Sequence, residues 1–363
     1  MKQKATVQGR SFLFNALFVL VNLTGLTFVA VGSHKNFEAQ YMLFNFIGYI
    51  LLALSAAGIF IFQGRLMMAN VARGLVGGLF IVSGLVKAND PLGFSYKLEE
   101  YFEDGALAYR IKELFGAPGF SLEFLIESAL FLSVVICIAE IVLVVLIIIG
   151  GKIKLVSYLT MMMMLFFTFL TWHTANCDSS KKFVDRDTFE MTDQLAAIKI
   201  EEAKTNKEIK IISKDAKTLV VEEKKQPQCV DDCGCFGDAM KGSVGRSLSP
   251  KESLWKDIIL VYLTFWIFIA QWIIQPNEKK QNMKFLLGSG MVIVFFSWVF
   301  GWYFPILFGA ISLLGSLWIK RSGGKVLGNY FGVSLVVTIL CLLMTTYVLM
   351  YEPLKDYRPY AEG

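Results

Sequence analysis

LEFLIESALFLSVVICIAEIVLVVLIII, residues 122–149, decides the fold class. Crossing the hydrocarbon of a bilayer takes roughly 20 residues of helix, and this run is longer than that. The same pattern recurs along the chain near 12–32, 41–62, 71–86, 155–175, 254–274, 285–301, 305–319 and 328–350. The seventh and eighth runs are short and meet at Gly301-Trp-Tyr-Phe-Pro305, which reads as a tight hairpin in an aromatic belt. The expectation is an all-α membrane protein with about nine transmembrane helices in a lipid bilayer.

Composition agrees. Of 363 residues, 55% are hydrophobic and only 18% charged, with a mean hydropathy of +0.55. A soluble domain of this size interrupts its apolar runs more often. The net charge of +5 points to no nucleic-acid partner, because the lysines and arginines mostly occupy short loops between apolar runs. The first run follows Lys2, Lys4 and Arg10 and reads as a retained span. It exceeds a signal-peptide core, and a second span follows almost at once.

An alternating path sorts the loops onto two sides. One holds the N-terminus with Arg65, Arg73, Lys152, Lys154, Lys279, Lys280, Lys284, Lys320, Arg321 and Lys325. The other holds 33–40, the acidic segment 87–121, the long segment 176–253 and the C-terminal tail. Short basic loops stay on the cytoplasmic side. The expected localisation is therefore the bacterial inner membrane, with the N-terminus cytoplasmic and the cysteine-bearing segment and C-terminus periplasmic. On the outer side, 94–115 alternates apolar and charged residues at helical spacing and reads as an interfacial helix. Two β-rich runs, 209–212 and 219–221, flank Lys214-Asp-Ala-Lys217 and read as a hairpin.

Of six cysteines, Cys137 and Cys341 lie inside apolar spans, where a thiol behaves as a small hydrophobe. Cys177, Cys229, Cys233 and Cys235 fall on the outer side, where an oxidising compartment permits pairing. Four cysteines allow three connectivities, and spacing does not choose among them. A Cys233-Gly-Cys235 disulfide closes a small ring near the edge of relaxed geometry, and such bonds exchange readily. Gly234 permits the backbone this closure needs, and Cys229 is placed to attack the bond. The alternatives are structural disulfides that pin the segment to the bundle, or a four-thiolate zinc site. The Cys-x-Cys spacing is tighter than zinc knuckles use, so no metal is assigned.

Asp232-Cys-Gly-Cys-Phe-Gly-Asp-Ala239, followed by Leu248-Ser-Pro-Lys-Glu-Ser-Leu-Trp-Lys-Asp257 and a span, resembles the MauE/DoxX family of redox-associated bacterial membrane proteins. So does Gly77-Gly-Leu-Phe-Ile-Val-Ser-Gly-Leu-Val-Lys87, running into Asn89-Asp-Pro-Leu-Gly-Phe94. The resemblance covers roughly 73–275 and implies a four-helix core made from the third to sixth spans. It divides the chain into an N-terminal hairpin (1–63), a bundle with its periplasmic insertion 176–253 (64–275) and a three-helix extension (276–363). It further implies disulfide formation or quinone-linked electron transfer, with a periplasmic thioredoxin-like or other envelope protein as partner. On this reading Cys229, Cys233, Cys235 and Cys177 carry the thiol chemistry, and a quinone is the cofactor.

Two more residues join the candidate site. Glu140 lies mid-span, where an ionisable group is expensive and usually faces inward. It serves either as a proton or quinone-headgroup partner, or as one half of an assembly pair with a basic residue such as Arg73. Arg73 itself reads as a cytoplasmic anchor. His173, four residues before Cys177, shares its face if the helix continues, and could lower that thiol's pKa. The competing expectation is a non-catalytic scaffold subunit of a larger envelope complex with purely structural disulfides.

Overall fold

Apolar residues this dense leave the chain no route to bury its backbone polar groups in lipid except helix, and helix dominates. A computed structural model describes residues 2–34, 39–206, 208–230, 248–275, 277–322 and 330–351. Among these, eight helices are long and apolar enough to span a membrane, and Phe304–Lys320 is a shorter ninth. The seventh predicted span is longer than its sequence run implied, because Lys279–Phe300 is one continuous helix. The eighth is the short one.

Helices α1 (Lys2–His34) and α2 (Ala39–Ile61) form a hairpin. It is tied to the bundle by Asn22, whose amide donates to Ser55 Oγ at 2.8 Å and Tyr262 Oη at 2.7 Å. The four-helix core is α3 (Arg65–Asn89), α6 (Ala129–Ile149), α7 (Ile153–Ala175) and α9 (Pro250–Ala270). Between α3 and α6 run α4 (Pro91–Phe102), a π-helical turn Asp104–Ala108 and α5 (Tyr109–Phe115). Helix α10 (Lys279–Phe300) lies along α3, while α11 (Phe304–Ser322) and α12 (Tyr330–Tyr351) close over α6.

Local chemistry sets the helix ends. Asp90 accepts from Gly93 N and Pro91 opens α4, while Ser249 and Glu252 form a capping box on α9 with Pro250 in its first turn. Helix α6 stops at Gly150, whose φ of +78° is left-handed. Helix α3 carries small residues where its neighbours come closest. A Cβ on Gly78 would sit 2.6 Å from Ser289 O of α10, and one on Gly77 would sit 2.6 Å from an Ile148 methylene carbon of α6. The small-residue face of α3 is thus a close helix contact.

Where α3 ends and α7 ends we speak of the cysteine face, and of the arginine face opposite it. The segment read as an interfacial helix is helical but broken at Glu103, and it is not laid out on a surface. Phe94, Leu98, Tyr101 and Phe102 are buried, with α4 packed on α6. Beyond α7 comes a small α/β insertion: β1 (Phe183–Glu190), α8 (Gln194–Thr205), β2 (Ile209–Lys214) and β3 (Thr218–Lys225). The strands form an antiparallel sheet in the order β1-β3-β2, over a core of Ala196, Ile209, Leu219 and Val221. The expected hairpin is β2–β3. Strand β1 and helix α8 escaped the sequence reading because their apolar residues are few and the third strand is supplied from before the hairpin.

Candidate functional site

Two places bring reactive or charged side chains together: the cysteine face and the centre of the four-helix core.

At the cysteine face, Cys177 and Cys229 form a disulfide with Cα atoms 5.6 Å apart. Cys177 stands just past the end of α7, and Cys229 follows β3, so the bridge closes a loop of 52 residues that contains the whole sheet. Cys229 is exposed and Cys177 half-buried. Arg110 braces this end of α7, donating to Asn176 O while its guanidinium lies over Tyr109 and Trp172 at 4.9 and 5.3 Å. Tyr109 Oη approaches Cys177 Sγ at 3.9 Å. Cys137 and Cys341 are free thiols, as expected. Cys233 and Cys235 lie outside the described residues.

His173 is fully buried one turn below Cys177. Its ring meets Tyr109 and Tyr101 edge-on at 5.5 and 6.3 Å, and neither ring nitrogen has a hydrogen-bond partner among the described residues. Because α7 ends at Ala175, no helical turn carries His173 and Cys177 on one face. Tyr109 stands in contact with both.

The insertion is held against the bundle by a charged cluster. Asp104, Asp185 and Asp187 converge closely enough for a cation, and the protein supplies its own. Lys112 Nζ bonds Asp104 at 2.9 Å and also Asp185, while Lys225 Nζ reaches Asp185 at 2.5 Å and Asp187 at 3.2 Å. Burial, and the hydrogen bond to Asp185, push the Asp104 carboxyl up to about 6. Burial raises Asp185 as well, but its bonds to Asp104, Lys112 and Lys225 prevail and hold it down at about 2. The two shifts act on stability in opposite directions. Asp104 favours the folded state while it can stay protonated, so its contribution fades as pH rises from its ordinary 3.8 through about 6. Asp185 favours the folded state while ionised, so its contribution disappears as pH falls from 3.8 towards about 2. Docking of the insertion is expected to be tightest near pH 4 and weaker at pH 7. Hydrogen-exchange protection of the Arg186 and Gln228 amides, which donate to Pro118 O and Gly105 O, reads this directly. Protection that climbs steadily from pH 4 to 7 contradicts it.

In the core, Glu140 is paired, and its partner is Lys87 rather than Arg73. Lys87 Nζ lies 2.6 Å from Glu140 Oε2, with 3% and 2% of the two side chains exposed. The ammonium also donates to Ser83 Oγ at 3.2 Å and stands over the Phe167 ring at 4.6 Å. Arg73 is not a solvent-facing anchor. It is buried at the arginine face, donating to Ile147 O at 2.8 Å and Asn277 Oδ1 at 2.8 Å. Its guanidinium donates to the carbonyls of Ile147 and Ile148 in the last turn of α6, where a helix runs short of its own donors. Asp257, on α9, is also buried, with Oδ1 2.9 Å from Lys256 Nζ and no hydrogen-bond partner on Oδ2 among the described residues. The sequence reading passed over it, although an aspartate inside a predicted span carries the same signal as Glu140.

Beside the core, an apolar groove of about 1480 Å³ runs between α1, α3, α9 and α10. Glu252 and Lys256 line its cysteine-face half, Gln281 and Lys284 its other end.

No curated protein and no solved structure matches this chain. Residues 65–176 match the family model of methylamine utilisation protein MauE, so the resemblance to MauE holds over α3 to α7 and stops one residue short of Cys177.

Proposed function

We propose that this protein is a membrane-bound thiol–disulfide redox protein that exchanges disulfides with a periplasmic partner and passes electrons to a quinone. The observation that carries the reading is the accessibility of the Cys177–Cys229 bond at Cys229, four residues from Cys233. An exposed disulfide is open to thiolate attack, whereas a structural one is commonly shielded. A dithiol of a thioredoxin-like partner reduces Cys233–Cys235 and is itself oxidised. The Cys233/Cys235 dithiol then reduces Cys177–Cys229 by attack at Cys229. Two electrons from Cys177 and Cys229 reduce a quinone to the quinol, two protons are taken up, and the bridge re-forms. The groove beside the core supports a lipid-soluble acceptor, since it is apolar and, at about 1480 Å³, larger than a compact soluble ligand needs. The orientation that places the cysteines in the periplasm rests on the basic loops of the opposite face, in a bacterial inner membrane.

The second reading, a non-catalytic scaffold in a larger envelope complex, is favoured by the position of the same bridge. It fastens the insertion to the end of α7 as a staple would. One experiment separates them. In membranes of the native host, Cys235→Ser is expected to accumulate a mixed disulfide through Cys233, visible as a band lost on reduction. Loss of the protein without any adduct, in Cys235→Ser and Cys229→Ser alike, favours the scaffold.

A further inference from the structure

Glu140 and Lys87 do not stand alone. They share the wall of a small cavity inside the four-helix core, about 10 Å³ in volume, with Ser83, Lys256 and Asp257. That is the room one water molecule needs, and a buried water also needs polar partners, which this cavity offers. Asp257 is 1% exposed, and its Oδ2 is a buried acceptor to which nothing among the described residues donates. A carboxylate oxygen left in that state costs free energy that a water in this cavity would recover. The charges around it come from every side but one. Lys87 arrives from α3, Glu140 from α6 and Lys256 from α9 itself, while α7 contributes only Met164 and Phe167.

The cavity is also next to the groove. Leu79, Lys256 and Leu260 line both, so a single layer of side chains separates the buried charges from the groove's interior. Lys256 is the polar member of that layer and holds Asp257 Oδ1 at 2.9 Å. Asp257 lies seven residues into α9, about 10 Å from the start of the helix.

We propose that this cavity holds one water on Asp257 Oδ2, and that Asp257 with this water is a proton-exchange site serving the polar head of a quinone in the groove. The role of the quinone rests on the function proposed above; the proton site itself does not. Reduction of a quinone takes two electrons and two protons. The thiols give up their electrons and protons at the cysteine face as the S–S bond forms. The two protons released by the thiols go to solvent, and the two that join the quinone oxygens inside the groove enter from solvent at Lys256, whose side chain is 18% exposed, and are relayed one at a time by Asp257 and its water.

Infrared spectra of the full chain in liposomes test this, recorded first against pH and then with a short-chain benzoquinone reduced at an electrode. In the absence of quinone, wild type is expected to show one carboxylic-acid component, apart from those of Asp104 and the other carboxyls, that grows as pH falls and shifts in D2O. Asp257→Asn should lose that band, and Glu252→Gln, which alters a groove carboxyl outside the cavity, should keep it. With quinone, the same band should change on reduction. A band that is absent, does not exchange, or survives in a folded Asp257→Asn overturns the proton site. A band that titrates without quinone but ignores quinone reduction keeps the site and removes its proposed use. Quinone reduction that alters other groups while the Asp257 band stays silent leaves the acceptor reading intact and overturns the assignment of Asp257 as donor. Should Asp257→Asn fail to fold, Asp257→Glu decides the same question: it should keep the component at a shifted frequency, and a component that does not move overturns the site.

Discussion

Glu140→Leu, with Lys87 left in place, is expected to destabilise the four-helix core by about 3–5 kcal/mol, the usual consequence of stranding one charge of a buried pair. Lys87 Nζ is held 2.6 Å from Glu140 and is almost completely shielded. Its ammonium also bonds Ser83 Oγ and faces the Phe167 and Phe94 rings, none of which can neutralise it. The double variant Lys87→Met/Glu140→Leu removes both charges and leaves apolar side chains of similar length. It should recover most of the loss, because a buried ion pair is often replaceable by well-packed hydrophobes at little cost. Unfolding of the purified protein in mixed detergent micelles measures both. If the single variant proves as stable as the double, the pair contributes no more than an ordinary polar contact between membrane helices, on the order of 0.6 kcal/mol.

Removing the Cys177–Cys229 bridge should have an effect of similar size but in a different place. Closing a loop of 52 residues is worth about 4 kcal/mol in the chain-entropy account of cross-links. That stabilisation belongs to the insertion rather than to the spans, since the loop consists of the sheet, α8 and their connections. Cys177→Ser is therefore expected to make the 183–225 region susceptible to protease while the membrane helices stay folded. The ion pairs of Lys112 with Asp185 and of Lys225 with Asp104 still fasten the sheet to the bundle, so the sheet should loosen rather than detach. Equal protease resistance with and without the bridge would mean that those ion pairs alone dock the insertion. The bond would then be held for its chemistry, which bears on the choice between exchange and scaffold.

Much of this architecture is legible without coordinates, because lipid leaves a chain few choices. A run such as 122–149 can only be a helix in a bilayer, and the crossings follow from counting such runs. The placement of Cys137 and Cys341 as buried thiols follows from the same count, and so does the gathering of Cys177 and Cys229 at one face. The β2–β3 hairpin shows as two β-rich runs around a polar turn. What the sequence leaves open is which side chains meet. Glu140 announces itself as an expensive group mid-span, but whether Arg73 or Lys87 answers it depends on which ends of α3 and α6 lie side by side. Antiparallel packing puts Arg73 at the carbonyls of Ile147 and Ile148, leaving Lys87 level with Glu140. Likewise four outer cysteines allow three connectivities, and only the return of the chain after β3 to the end of α7 selects Cys177 with Cys229. Local sequence determines where a residue lies along the membrane normal, because that depends on its neighbours in the chain. Its partner across the bundle is a long-range choice, set when the helices pack.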